Sequence, residues 1–147
     1  MAALTCALAL SACGNPPEPP VVSTAAADSA LKPAATGRVY IISPTDGAVV
    51  SSPLTVSFGI EGYGVAPAGT YEANTGHHHL LIDTGLPPLD QPIPADAQHV
   101  HFGKGQTETT LELAPGKHTL QLLLGDGNHV PHQPPLTSDI ITVTVSE

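Results

Sequence analysis

Short segments in which apolar and polar residues alternate limit the fold of this chain most strongly. In residues 54–61, Leu54, Val56, Phe58 and Ile60 occupy every second position. Side chains of a β-strand alternate between two faces, so this pattern predicts a strand with one buried face. The chain also contains 16 Pro and 14 Gly, with little helical periodicity. Together these features predict an all-β domain with many turns.

Further segments with this pattern are separated by turns and by long loops rich in Pro and Gly. The predicted strands are residues 39–43, 54–61, 77–83, 98–102, 106–113, 117–124 and 139–145. Gly103 and Gly105 predict a hairpin between the fourth and fifth of them. About seven short strands are typical of an immunoglobulin-like antiparallel β-sandwich, which we expect over residues 38–147. The chain has no Trp, so it lacks the Cys-Trp-Cys pattern of antibody domains.

The N-terminal region predicts export and lipid attachment. Residues 1–13 form a short apolar run ending in Leu-Ser-Ala-Cys, which resembles a bacterial lipobox with Cys13 as the lipidated residue. A signal peptide usually begins with basic residues. None is present here, so we expect a signal peptide truncated at its N-terminus; the alternative is an apolar N-terminus with a chance cysteine. Residues 14–37 are rich in Pro and Ala and predict an extended tether. The expected location is the cell envelope, at the periplasmic face of the outer membrane.

The charge of the chain narrows the class of partner. Its net charge is −9, with four Lys and Arg residues and no Trp. Nucleic-acid binding requires basic contacts to phosphate and often aromatic stacking on the bases. This chain is poor in both kinds of residue, so we do not expect it to bind nucleic acid. An acidic chain is compatible with binding cations.

Histidine clusters are the candidate functional residues. The clusters lie in residues 77–79, 99–101 and 129–132. If consecutive strands alternate in direction, all three clusters lie at one end of the sandwich, and His118 and Asp83 lie at the other. Imidazole is a common metal ligand. The sequence therefore predicts a metal site at that end, with six ligands: His77, His79, His99, His101, His129 and His132.

Strand phase separates the adjacent histidines of the first cluster. His78 is in phase with Leu80 and Ile82, so we expect it to pack inward or to support a ligand from behind. Glu108 and Asp126 are candidate acceptors for the N–H of a ligating imidazole. The alternative is a polar hydrogen-bonded network of histidines that holds long loops together.

The donor set favours copper, with zinc next, because the domain has no Cys or Met and imidazole suits both metals. A binding protein is the first hypothesis. A metalloenzyme with Glu108 as base and a structural or adhesion module are the alternatives. Since ligating histidine must be deprotonated, metal affinity is expected to fall as the pH drops through about 6.5.

Several stretches resemble a bacterial family of short secreted or lipid-anchored proteins that is known only as a domain of unknown function. They are GHHHLLID (76–83), LPPLDQPIP (86–94), HVHFGKGQTE (99–108), LAPGKHTL (113–120) and GDGNHVPH (125–132). The resemblance spans about residues 38–146. It implies a compact domain whose signature is the three histidine stretches, and it implies no known activity. A looser similarity exists to periplasmic copper-binding proteins with immunoglobulin-like sandwiches.

Overall fold

The computed structural model describes residues 36–147. The predicted signal peptide, the lipidation candidate Cys13 and nearly all of the predicted tether lie outside these residues. Within residues 36–147 there is no helix long and apolar enough to cross a membrane. The strands are β1 (Arg38–Ser43), β2 (Val49–Val50), β3 (Leu54–Glu61), β4 (Gly64–Val65), β5 (Thr75–Ile82), β6 (His99–His101), β7 (Glu108–Leu111), β8 (Gly116–Gly125) and β9 (Ile141–Val145).

These strands form two sheets, which confirms the predicted all-β sandwich; the immunoglobulin-like topology stays a prediction. One sheet has the order β1-β3-β7. The other has the order β2-β9-β8-β5-β4, and β6 also pairs with β5. β4 pairs with the first residues of β5 and β6 with later ones, so the two short strands share one edge.

Two details of the predicted strand arrangement are wrong. β2–β9 and β4–β5 are parallel pairs, so the second sheet is mixed rather than purely antiparallel. The predicted hairpin at Gly103–Gly105 is instead a crossing between sheets, because β6 pairs with β5 whereas β7 pairs with β3. A tight turn does form, since the Gly105 N–H donates to the Phe102 carbonyl at 3.0 Å. The Phe58 N–H then donates to the Thr107 carbonyl at 2.9 Å, which joins the chain to the first sheet.

The main core lies between the sheets. Alternate residues of β3, including Val56 and Phe58, are buried there against Leu80 from β5 and Leu122 from β8. Burying each such side chain contributes ~1.5–3 kcal/mol, so the alternating strands account for the sandwich. A second, smaller apolar cluster consists of Leu81, Ile93 and Leu123.

Candidate metal centre

Strand β5 sends its histidines to opposite faces of the second sheet. His78 lies in phase with Leu80 and Ile82 and packs on Phe58 in the main core, with ring centroids 4.9 Å apart. His77 and His79 are in the other phase, with Leu81 of the second apolar cluster. The centre is therefore built on the outer face of the sheet, away from the sandwich core.

The neighbouring strands complete this face. His79 stands opposite Leu123 of β8 on one side and His101 of β6 on the other. His77 stands opposite Gly125. Because residues paired across adjacent strands share a face, the register places His101 beside the two outward histidines of β5.

Two glycines leave room for the imidazole rings. A Cβ on Gly103 would lie 2.6 Å from Nε2 of His101. A Cβ on Gly125 would lie 2.8 Å from Cε1 of His79. Real Cβ atoms do not approach other atoms so closely, so any other residue would have to displace these rings.

The loop after β8 supplies His129, and Asp126 shapes that loop. The Asp126 carboxylate accepts the N–H groups of Asn128 at 2.8 Å and Val130 at 2.9 Å. The His129 N–H donates to the Asp126 carbonyl at 2.9 Å, and the His129 carbonyl accepts from Ile93 at 2.8 Å. These bonds hold His129 at φ 68°, a left-handed conformation that costs a non-glycine residue ~1–2 kcal/mol.

Four imidazoles consequently form one cluster. The ring centroids of His77, His101 and His129 lie 4.8–5.0 Å from one another. Each of the three offers a nitrogen, and these nitrogens all lie within 4.8 Å of one another. His79 is the fourth ring, 4.8 Å from His77, 5.1 Å from His101 and 6.0 Å from His129 between centroids.

Burial keeps the innermost rings uncharged. His77 and His79 are 0% and 1% exposed. Loss of solvent, reinforced by the neighbouring histidines, lowers the pKa of His77 to about 4 and that of His79 to about 3. Burial also lowers the pKa of His101, with a further contribution from His129. These rings are therefore neutral at pH 7, which is the form that binds metal.

The donor set fits a metal ion. Both ring nitrogens of His77 and Nδ1 of His79 are buried without a hydrogen-bond partner in the protein. Unsatisfied buried polar atoms are costly, and coordination would satisfy one at each ring. Nitrogens bound at about 2.0–2.1 Å to a tetrahedral zinc ion lie about 3.4 Å apart. The three donor nitrogens, which all lie within 4.8 Å of one another, are near enough to hold one ion.

Burial also changes the pH dependence that is expected for metal affinity. An ordinary imidazole begins to lose metal to protons near pH 6.5. The lowered pKa values of His77 and His79 remove that competition until the solution is far more acidic. For these two donors we therefore expect weakening at a lower pH, and the pH dependence of metal affinity stays a prediction.

Two predicted ligands, His99 and His132, lie outside the four-imidazole cluster. The Nδ1 atom of His99 lies 2.9 Å from the Asp96 carboxylate. The ring of His132 packs edge-on against Tyr63, with centroids 5.1 Å apart, and its Nε2 is buried without a partner. The structure thus brings together His77, His101 and His129, with His79 beside them.

Neither carboxylate that was predicted to support a ligand, Glu108 or Asp126, accepts a hydrogen bond from an imidazole of the cluster. Glu108 accepts a hydrogen bond from Ser57 at 2.9 Å in the other sheet, where it cannot serve as a base at the centre. Asp126 acts through the loop rather than through an imidazole N–H. At the other end of β5, His118 lies 2.6 Å from Asp83 and 2.9 Å from the Ala114 carbonyl.

The sequence did not predict that the loop between β5 and β6 packs against the centre. Ile93 is buried with Leu81 and Leu123, and its N–H holds the His129 carbonyl. An isolated Ile within a Pro-rich polar loop was the available signal for this contact. Gly103 and Gly125 were visible as turn residues, but the space they leave for imidazoles depends on register.

Comparison with known proteins adds a family match. The model of a family described as "Domain of unknown function (DUF4399)" matches residues 56–146, which include all four imidazoles of the cluster. No curated protein and no solved structure matches the chain.

Proposed function

We propose that this chain, which belongs to the DUF4399 family, binds a single transition-metal ion at the cell envelope, copper in preference to zinc. The ligands in this proposal are His77, His101 and His129, with His79 as a fourth donor. The observation that carries it is the convergence of three imidazole nitrogens within 4.8 Å, from two strands and a loop.

The choice of copper rests on the chemistry of the donors. The binding strength of a nitrogen site for divalent metals rises toward copper in the Irving–Williams order and falls again at zinc. Cys and Met, whose sulfur atoms select softer metal ions, are absent from residues 14–147.

The location rests on the sequence before the domain. A lipobox at Cys13 followed by a Pro-rich segment would anchor the domain to a membrane through a tether. The test is expression in a bacterium with fractionation and mass spectrometry. We expect the mature chain to carry a lipid mass on Cys13, and Cys13→Ser to lose both that mass and membrane association. A membrane fraction unchanged by Cys13→Ser would contradict the anchor.

Metal binding is tested with a matched pair of variants on β6. His101 belongs to the three-donor group, whereas His99, two residues earlier, is bound to Asp96. The untagged full chain is titrated with copper(II) and zinc, with stoichiometry read by native mass spectrometry. We expect His101→Ala to weaken binding by more than about 100-fold, since loss of a group that only supports a ligand already costs about 10–100-fold. His99→Ala should retain near wild-type affinity.

The result also separates the alternatives. Equal affinity in both variants would remove the proposed ligand set, and no binding by the wild type would favour a structural histidine network. Circular dichroism of each variant establishes that it is folded before its affinity is compared.

A further inference from the structure

The donors of the proposed site carry no charge. The group of nitrogens within 4.8 Å consists of imidazoles alone and contains no carboxylate. An ion held there keeps its full charge, +2 for copper(II) or zinc and +1 for copper(I). The cost of that charge then depends on what surrounds the ligands.

The inner side of the site is apolar. Leu81, Ile93 and Leu123 form the buried cluster beneath the histidines. An ideal Cβ position on Gly125 would lie 2.8 Å from His79 Cε1 and 3.3 Å from Ile93 Cδ1, so the ring and the apolar side chain both flank this glycine. The cost of removing an ion from water grows with the square of its charge, so a divalent ion loses about four times as much as a monovalent ion of similar size.

Nearby negative charge is limited. Within residues 36–147, the carboxylate whose charge acts on His77 is that of Asp126, and one of its oxygens is already shared by two backbone N–H groups. Asp96 is engaged by His99 at 2.9 Å. One carboxylate can balance a monovalent ion, but it leaves half of a divalent charge uncompensated.

From the neutral donors, the apolar inner side and the one carboxylate that acts on His77, we infer that the site prefers a monovalent ion, copper(I), over copper(II) and zinc. This inference rests on the proposed function and specifies the ion that the site takes. Imidazole is borderline in softness, so donor type alone does not make this choice; the uncompensated charge does. Copper(II) that entered the site would be converted to bound copper(I) by one electron from an external reductant such as an enediol or a thiol, and no protein group would be oxidised.

The test compares the two oxidation states on the full chain. Copper(I) affinity is measured anaerobically by competition with bicinchoninate, and copper(II) affinity by competition with glycine. We expect copper(I) to be favoured over copper(II) by at least about 100-fold beyond the aqueous couple, which corresponds to a reduction potential raised by about 120 mV for one electron. Zinc should displace copper(I) only at large excess.

A variant pair tests the electrostatic cause. Asp126→Asn keeps an oxygen that can accept the two loop N–H groups but removes the charge, and it should raise the potential further. Glu108→Gln removes a carboxylate of the other sheet and should leave the potential unchanged. If the chain does not favour copper(I) over copper(II) by this margin, or if zinc displaces copper(I) without a large excess, the inference is overturned while the proposed metal binding stands. A reduction potential that Asp126→Asn does not change has the same consequence. A chain that binds none of these ions overturns both.

Discussion

Acidification of the metal-free protein should destabilise the domain through its buried histidines. Burial lowers the pKa of His77 and His78 to about 4 and that of His79 to about 3. The unfolded chain, with its ordinary pKa of about 6.5, takes up these protons first. Stability is therefore present above pH 6.5 and is lost as the pH falls toward 4, because the unfolded state binds more protons.

The size of the effect follows from the same values. At pH 5 an unfolded imidazole is almost fully protonated, whereas one with a folded pKa near 4 is mostly neutral. Each such residue then costs about 2 kcal/mol, and the three together about 6 kcal/mol, relative to pH 7.5. Small domains have total stabilities of about 5–15 kcal/mol. The metal-free domain should thus be close to unfolding at pH 5.

Other titrating groups change this total in known directions. Burial lowers the pKa of His132, which adds to the loss. The pKa of His118 is raised by the hydrogen bond between His118 and Asp83. Protonated His118 therefore stabilises the folded state, in full below pH 6.5, and offsets part of the loss. The pKa of Asp83 is lowered by hydrogen bonds from His118 and Thr119, against a desolvation contribution that would raise it. That change acts near pH 4 and below, outside the interval considered.

The assay is urea unfolding of the full chain between pH 7.5 and 5 in the presence of a chelator. His78→Leu is the informative variant, because it removes one buried imidazole without touching the metal cluster. Its loss of stability across the interval should be smaller than that of the wild type by about 2 kcal/mol. A flat stability profile, or the same loss in wild type and His78→Leu, would refute the reasoning.

Three further predictions concern the metal centre. Gly103→Ala should displace the His101 ring and weaken copper binding at least about tenfold, whereas Gly85→Ala, with open space around it, should have no effect; equal affinities in a competition titration would contradict this. Asp126→Ala removes the acceptor of two loop N–H groups and should weaken binding by releasing His129, read as loss of copper affinity with retained far-ultraviolet circular dichroism. Copper at about 100-fold excess over its dissociation constant should stabilise the wild type by about 2.7 kcal/mol, and a melting temperature that copper does not raise would contradict specific binding.

The sandwich and the division of the adjacent histidines could be predicted because both depend on local phase. Period-two alternation in residues 54–61 predicts a strand with one buried face. The same rule assigns His78 to the side of Leu80 and Ile82, where it packs on Phe58. No knowledge of partner strands is needed for either inference.

Pairing and loop paths could not be predicted in the same way, because they depend on contacts distant in sequence. The Gly103–Gly105 turn is similar in composition to a hairpin, yet the chain crosses there between sheets. His99 and His101 share a strand phase, but the pairing places His101 opposite His79 and His99 opposite Leu81, and His99 is bound to Asp96. The position of His129 depends on hydrogen bonds from Ile93 and within the Asp126 turn.

The most direct test of the account is X-ray absorption spectroscopy of the full chain loaded with one equivalent of copper. We predict a first shell of three or four nitrogens at about 2.0 Å, with the outer-shell scattering of imidazole rings, and the loss of one such nitrogen in His77→Ala. A first shell dominated by oxygen, or a spectrum unchanged in His77→Ala, would contradict the assignment of the histidine cluster as a metal centre.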